Sequence, residues 1–197
     1  MAVRGQTRKR LVSATIRLLQ RGGLHGTALQ DVLAESGAPR GSLYFHFPGG
    51  KEELVREALR EAAAGADRRL RQALAEGDTA AEAWDTFLAA YGRHLEQSGF
   101  AEGCPVAGVA LDVGGGTDRL RAACDWALTG WVTLLAERLR VEGRSAEEAE
   151  ALALTAVAAL EGALLLCRAR RSLDPLLAVS SQLRRLLGPE PAPVGQG

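Results

Sequence analysis

The segment Gly49-Gly50-Lys51 could bind a phosphate group, because glycines before a lysine are typical of loops that hold nucleotide phosphates. Such a loop also needs a glycine five residues before the Gly-Lys pair and a serine or threonine after it. Phe45 and Glu52 stand at these positions. A nucleotide site is therefore not predicted, although Lys51 at the start of a helix would still suit an anion.

The chain offers little else for catalysis or metal binding. It has no HExxH or GxSxG motif, and its three histidines, His25, His46 and His94, fall on separate segments. We predict that the protein is not an enzyme and holds no metal or cofactor.

The three cysteines are too few and too widely spaced for a disulfide framework or a zinc site. They are Cys104, Cys124 and Cys167. Two interpretations stay open: small buried hydrophobic residues, or a thiol that senses redox state.

Charge is unevenly distributed along a chain whose formal net charge is zero. Residues 1–51 hold eight basic and two acidic side chains, a net of +6, which indicates a polyanionic partner. The N-terminus lacks the apolar core of a signal peptide, and no uncharged apolar run of about 18 residues is present. We therefore expect a cytoplasmic protein with no membrane partner.

The pattern of apolar residues predicts an all-α fold. Ala, Leu, Glu and Arg fill long windows, and strand-like alternation is missing. About nine helices are predicted, with Thr27 as N-cap of the second. They span about 7–21, 27–35, 40–45, 51–74, 79–97, 105–113, 118–142, 145–171 and 174–187.

Three predicted helices form a small unit at residues 1–50, with a larger helical unit at 51–187 and a Pro- and Gly-rich, disordered tail at 188–197. The second and third helices, joined by a turn containing Gly37, have the outline of a helix-turn-helix DNA reader. This arrangement predicts which residues could contact bases or phosphates, with Gly41 allowing the backbone to come close. They are Thr27, Arg40, Gly41, Ser42, Tyr44, His46 and Lys51.

The segment LQDVLAESGAPRGSLYFHFPGGKEELV resembles the DNA-binding part of the TetR-type one-component repressors. The resemblance covers about residues 7–60. Pro39, the sequence PGGK at 48–51 and GCPVAGVALDV at 103–113 resemble the branch that contains lincomycin-resistance and flavonoid-responsive repressors. The resemblance implies a homodimeric repressor that binds a nearly palindromic double-stranded operator and releases it when a small molecule occupies the larger unit.

A stripe of aromatic and polar residues on the fifth helix fits either a core or an effector pocket, and the resemblance favours the pocket. Residues of the sixth and seventh helices would complete it around an apolar, aromatic molecule. The predicted lining is Trp84, Phe87, Leu88, Tyr91, His94, Val109, Val113, Trp126 and Gly130.

The eighth helix is apolar around most of its circumference, so one side must be covered from outside its own core. With the last helix it would form the dimer interface that the resemblance implies, through Ala159, Gly162, Ala163 and Leu183. Glu161 lies in the same run, either at the pocket or across the interface. The alternatives that remain are a DNA-binding protein without an effector and a redox sensor.

Overall fold

The structure is a computed structural model that describes residues 2–113 and 118–189. Within these ranges α-helix is the only regular secondary structure, as predicted. The helices are α1 (Ala2–Gly22), α2 (Leu29–Ser36), α3 (Arg40–His46), α4 (Gly50–Glu76), α5 (Ala80–Gln97), α6 (Pro105–Asp112), α7 (Asp118–Val141), α8 (Ala146–Arg170) and α9 (Asp174–Leu187). The disordered tail predicted at 188–197 lies, from residue 190 onward, outside the described residues.

The helix ends follow local chemistry. Thr79 and Ser145 cap α5 and α8, each accepting a hydrogen bond from the backbone N–H three residues on. Gly37 ends α2 in the left-handed conformation, with φ of 61°. Gly50 turns the chain between α3 and α4 with φ of 68°, which a residue with a side chain would adopt only under strain.

The predicted cap of α2 is wrong by one residue. Ala28 holds the N-cap position and makes no side-chain cap bond. The Thr27 hydroxyl instead donates to the Gly23 carbonyl at 2.7 Å, inside the turn that precedes α2. Thr27 lies one residue before the cap position, and its side chain closes the preceding turn rather than the helix end.

The helices form a small head, α1–α3, on a larger body, α4–α9. Helix α1 packs on α2 in the head and on α4 and α6 in the body, so it joins the two parts. In the body α7 packs on α4 and α8, and α9 packs on α5 and α8. A continuous cluster of buried apolar residues runs through both parts.

Among the described residues one helix, α8, is long and apolar enough to cross a membrane by length and composition alone. A core helix of a globular protein passes the same test. Eight residues of α8 are buried, and the helix packs on α7 and α9. This packing accounts for one side of α8, while Leu154, Leu165 and Leu166 of the same helix stay exposed.

Candidate DNA-reading helix and effector cavity

Helix α3 has one buried face and one open face. Leu43 and Phe47 are buried against the head, and Tyr44 and Phe45 are each 63% exposed. The arginine cation of Arg8 lies 5.2 Å from the centre of the Phe47 ring and covers its outer side. The short helix is thus fixed by two apolar contacts, while Tyr44 and Phe45 stay largely exposed to solvent.

The predicted DNA-binding residues of α3 lie on its accessible sides. Arg40 and Gly41 are exposed, and open space surrounds the Cα of Gly41. Ser42 and His46 are half-buried. The Ser42 hydroxyl donates to the Pro39 carbonyl at 2.6 Å, so its oxygen can still accept a hydrogen bond.

The other two predicted DNA-contact residues form hydrogen bonds within the subunit. Thr27 is 1% exposed, and its hydroxyl proton is engaged by Gly23. Lys51 Nζ donates to the Leu24 carbonyl at 2.8 Å, which ties the start of α4 to the loop between α1 and α2. An ammonium has two further donors, so Lys51 can hold this loop and still face an anion.

Phe45 is a residue that the sequence reasoning did not include. Leu43 and Phe47 flank it at two positions on either side, and two helical positions turn the direction by about 200°. Phe45 therefore points almost directly away from the buried face. The signal was present in the sequence, because counting from Leu43 and Phe47 would have identified the outward position.

A cavity of about 540 Å³ opens between α1, α4, α5, α6 and α7. Tyr91 and His94, both predicted, line it. Its other walls are Ser13, Ile16, Gln20, Glu61, Ala62, Gly65, Ala66, Arg68, Arg69, Ala90, Arg93, Gln97, Cys104, Pro105, Val106 and Trp131. The contribution of α1 and α4 had no signal in the sequence, since which face of α4 meets α5 depends on the packing of both.

The rest of the predicted pocket residues lie elsewhere. Four of them are fully buried and one is partly buried in the apolar core: Trp84, Phe87, Leu88, Val109 and Val113. Trp126 and Gly130 line a separate groove of about 640 Å³ along α4 and α7. The tryptophan that reaches the cavity is Trp131, five residues further along α7 and on another side of that helix.

Polar side chains connect the cavity to the head. His94 Nε2 lies 3.1 Å from Gln20 Nε2 and 3.3 Å from Glu102 Oε2. Glu102 Oε1 accepts from Arg21 Nη2 at 2.7 Å, and Arg21 Nη1 lies 3.4 Å from Glu35 Oε2 on α2. We call His94, Glu102, Arg21 and Glu35 the relay. It runs from a cavity wall to the first helix of the helix-turn-helix.

The end of α1 is held by the body at further points. The Gly103 N–H donates to the Gln20 carbonyl at 2.9 Å, and Arg168 Nη2 donates to the Arg21 carbonyl at 2.9 Å. These contacts satisfy carbonyl groups that a helix end leaves unpaired. A displacement of residues 102–104 would therefore shift the end of α1.

A second junction lies between the loop after α1 and α6. Asp112 Oδ2 accepts from the His25 N–H at 3.1 Å, and this hydrogen bond lowers the pKa of the Asp112 carboxyl. At Gly23, φ is 64°, and a Cβ would stand 2.6 Å from Asp112 Oδ2. The positive φ favours glycine here, and a side chain would also have to displace the Asp112 carboxylate from this junction.

Buried titratable groups lie beside the cavity. Burial raises the pKa of Glu161 to about 7, although a hydrogen bond with Cys104 acts in the opposite direction. Glu161 Oε1 has no hydrogen-bond partner among the described residues. Burial also raises the pKa of the Tyr91 phenol and the Cys104 thiol well above their ordinary values.

The cysteines do not have the setting of reactive thiols. All three are free and buried. Burial raises the pKa of Cys124 to about 11 and also raises those of Cys104 and Cys167. A raised pKa keeps the group as a thiol, whereas the thiolate is the nucleophile. The chemistry therefore favours the packing interpretation over redox sensing.

The four predicted dimer residues divide between the subunit core and its surface. Ala163 and Leu183 are buried within the subunit, while Ala159 is half-buried and Gly162 is exposed. The apolar residues left open on α8 and α9 are Leu154, Leu165, Leu166, Leu177 and Leu186. The sequence pattern could not separate the inner from the outer side of α8, because this helix is apolar on nearly all sides.

Two family models match the chain. Residues 11–58 match the model described as bacterial regulatory proteins, tetR family, and residues 80–182 match the C-terminal domain of LmrA/YxaF-like transcriptional regulators. The first match spans α2 and α3, and the second contains α5 to α8. These findings confirm the predicted family and its branch.

Similar proteins cover nearly the whole chain. An uncharacterised HTH-type transcriptional regulator of Mycobacterium tuberculosis is 38% identical over 91% of this chain and 93% of its own length. The HTH-type transcriptional regulator LmrA of Bacillus subtilis is 35% identical over 93% and 97%. The crystal structure of the regulatory protein TetR from Rhodobacter sphaeroides superposes with a TM-score of 0.83 at 24% identity, over 91% of this chain and 98% of that one.

Proposed function

Because the chain belongs to the TetR family of bacterial regulatory proteins, a family of DNA-binding transcriptional regulators and not of enzymes, we propose that it is a homodimeric repressor released from its operator by a small aromatic effector. The operator is double-stranded and nearly palindromic, and the protein works in the cytoplasm. Residues 1–50 are the reading head, and residues 51–187 bind the effector and the second subunit.

The relay is the observation that carries this proposal. An effector in the cavity meets His94 and Gln20, and the contacts of His94 with Glu102 and of Glu102 with Arg21 lead to Glu35 on α2. The Glu102 side chain is only 10% exposed, which fixes its carboxylate between Arg21 and His94, although these two side chains are 46% and 40% exposed. An effector that displaces His94 would therefore change the position of the head relative to the body.

Helix α3 is the element that would enter the major groove. Phe45 stands at the centre of its open face and is suited to apolar contact with the 5-methyl group of thymine. Arg40 can donate a bidentate pair to guanine. Tyr44 and His46 flank Phe45 on either side, where the phosphates of the two strands would lie.

The open leucines of α8 and α9 support the dimer. Leu154, Leu165, Leu166 and Leu177 are each between 43% and 63% exposed, which is costly for a large apolar side chain left in water. Two-fold pairing of these helices would bury the leucines and present two copies of α3. The half-sites would then be about one helical turn, roughly 34 Å, apart or somewhat more.

The test is a melting-temperature screen of aromatic compounds, followed by fluorescence anisotropy with an operator selected from random duplexes. Binding must raise the melting temperature by mass action. We expect the compounds that do so to release the operator from the wild-type protein. Tyr44→Ala serves as the control: it should lose operator affinity but keep the thermal response. A protein that binds its operator but responds to no aromatic compound would support the effector-free alternative.

A further inference from the structure

The outer part of the cavity carries an excess of positive charge. Arg68 and Arg69 reach it from α4 and Arg93 reaches it from α5, while Glu61 is the one acidic residue in the lining. The lining thus has a formal charge of +2 in a chain whose net charge is zero. All three arginines are exposed, so they lie at the mouth.

Little within the described residues neutralises these arginines. Arg68 pairs with Glu61 only at 3.9 Å. Arg69 lies near the Tyr91 phenol, where it opposes the rise in the pKa of that group, and neither Arg69 nor Arg93 has a described carboxylate oxygen within 4.0 Å. Two guanidinium groups with unused donors at a pocket mouth match the geometry of a carboxylate.

The inner walls suit an aromatic body. The Tyr91 and Trp131 rings and the side chains of Ile16 and Val106 supply apolar surface behind the mouth. Glu161 lies behind Cys104 and does not line the cavity. Its raised pKa leaves part of the carboxyl neutral near pH 7, so it offsets the arginines only partly.

We propose that the effector is an aromatic acid, whose carboxylate or ionised phenol is held by Arg69 and Arg93 while its ring system lies against Tyr91 and Trp131. This inference rests on the proposed function, because it names the chemical class that the same cavity takes. The acid group would orient the molecule so that the far end of its ring system faces His94 and Gln20.

Matched pairs of probes test the charge requirement. We would measure binding of 2-naphthoate and 4-biphenylcarboxylate, and of the corresponding primary carboxamides, by calorimetry and operator release. The amides keep the shape but not the charge. We expect each acid to bind about tenfold more tightly than its amide, since a charge-assisted hydrogen bond is roughly twice as strong as a neutral one.

Variants of the mouth provide the second arm. Arg93→Gln should weaken binding of the acids about tenfold and leave binding of the amides unchanged. Arg60→Gln, an exposed arginine on α4 outside the cavity lining, is the control and should change neither. Arg69→Gln is expected to act like Arg93→Gln, with an added effect from the lost Tyr91 contact.

The outcomes separate the two proposals. If amides or aromatic amines bind as well as the acids and release the operator, the proposed function stands and the acid inference is overturned. The acid inference is also overturned if only uncharged compounds from the wider aromatic screen bind. If no aromatic compound of any charge binds while the operator is still bound, both proposals fail.

Discussion

Phe45 shows how a single position on a short helix can be assigned from its neighbours. The burial of Leu43 and Phe47 fixes the rotation of α3, and that rotation turns Phe45 outward. The Phe45 ring contacts His46 edge-on, with ring centroids 5.0 Å apart, and is still 63% exposed. The proposed contact with DNA would cover it.

We predict that Phe45 reads a thymine. Deoxyuridine substituted one position at a time across the selected half-site should weaken wild-type binding at one position by about fourfold, which corresponds to roughly 0.8 kcal/mol for one methyl contact. Phe45→Ala should bind more weakly and should not distinguish thymine from uracil there. A Phe45→Ala protein that keeps the wild-type response to every uracil substitution would show that this ring reads no base.

The buried carboxyl of Glu161 should make the stability of the protein depend on pH. Burial raises its pKa from 4.5 to about 7, so between these values the folded protein holds the proton more tightly than the unfolded chain. The stability contribution of this group therefore falls as pH rises from about 4.5 and is lost above about pH 7, by on the order of 3 kcal/mol. Near pH 5 the neutral carboxyl carries little of this penalty.

Glu161→Gln should remove this dependence. The free energy of unfolding of the variant, minus that of the wild type, should be on the order of 3 kcal/mol more favourable at pH 8 than at pH 5, measured by urea denaturation. Glu150→Gln, an exposed glutamate on the same helix, is the matched control. A Glu161→Gln difference that stays constant from pH 5 to pH 8 would mean that the carboxyl is not shifted.

At the scale of elements, much of the helical layout could be predicted from glycines, prolines and capping residues. Gly37, Gly50 and Ser145 act in the structure as their types indicate. The cavity residues that could not be predicted depend on tertiary packing. The choice between Trp126 and Trp131 as the cavity residue depends on how α7 is rotated against α4, and nothing local on α7 fixes that rotation.

We predict that Glu102 of the relay carries the coupling between effector and operator. Glu102→Gln keeps the shape of the side chain but removes the charge that joins His94 to Arg21. The variant should bind effector and operator separately, while the effect of the effector on operator affinity should fall at least about fivefold, a change of about 1 kcal/mol in coupling. Fluorescence anisotropy with and without saturating effector measures this coupling.

A control separates coupling from general loss of structure. Glu57→Gln removes another ion pair of the α1 and α4 region, with Arg8 at 2.8 Å, away from the cavity lining. It should leave the coupling unchanged. If Glu102→Gln responds to effector as fully as Glu57→Gln and the wild type, the signal does not pass through Glu102.

In the whole molecule, the proposed dimer requires that a second subunit cover the open face of α8 and α9. Leu165→Glu with Leu177→Glu places two charges on the open face of α8 and α9, where pairing would have to bury them. The double variant should be a monomer by light scattering, and its operator affinity should fall by more than about a hundredfold because two linked heads bind far better than one. Leu111→Glu, on the exposed side of α6, is the control and should remain a dimer. A dimeric double variant would place the interface elsewhere.

The proposed function requires that the cavity and the reading head are coupled. Reciprocal titrations test it most directly: the operator affinity is measured with and without saturating effector, and the effector affinity with and without saturating operator. Linkage requires the two ratios to be equal, and for release we expect both affinities to fall by the same factor, about tenfold to a hundredfold. An effector affinity that saturating operator does not change would contradict the account, however tightly the cavity binds its ligand.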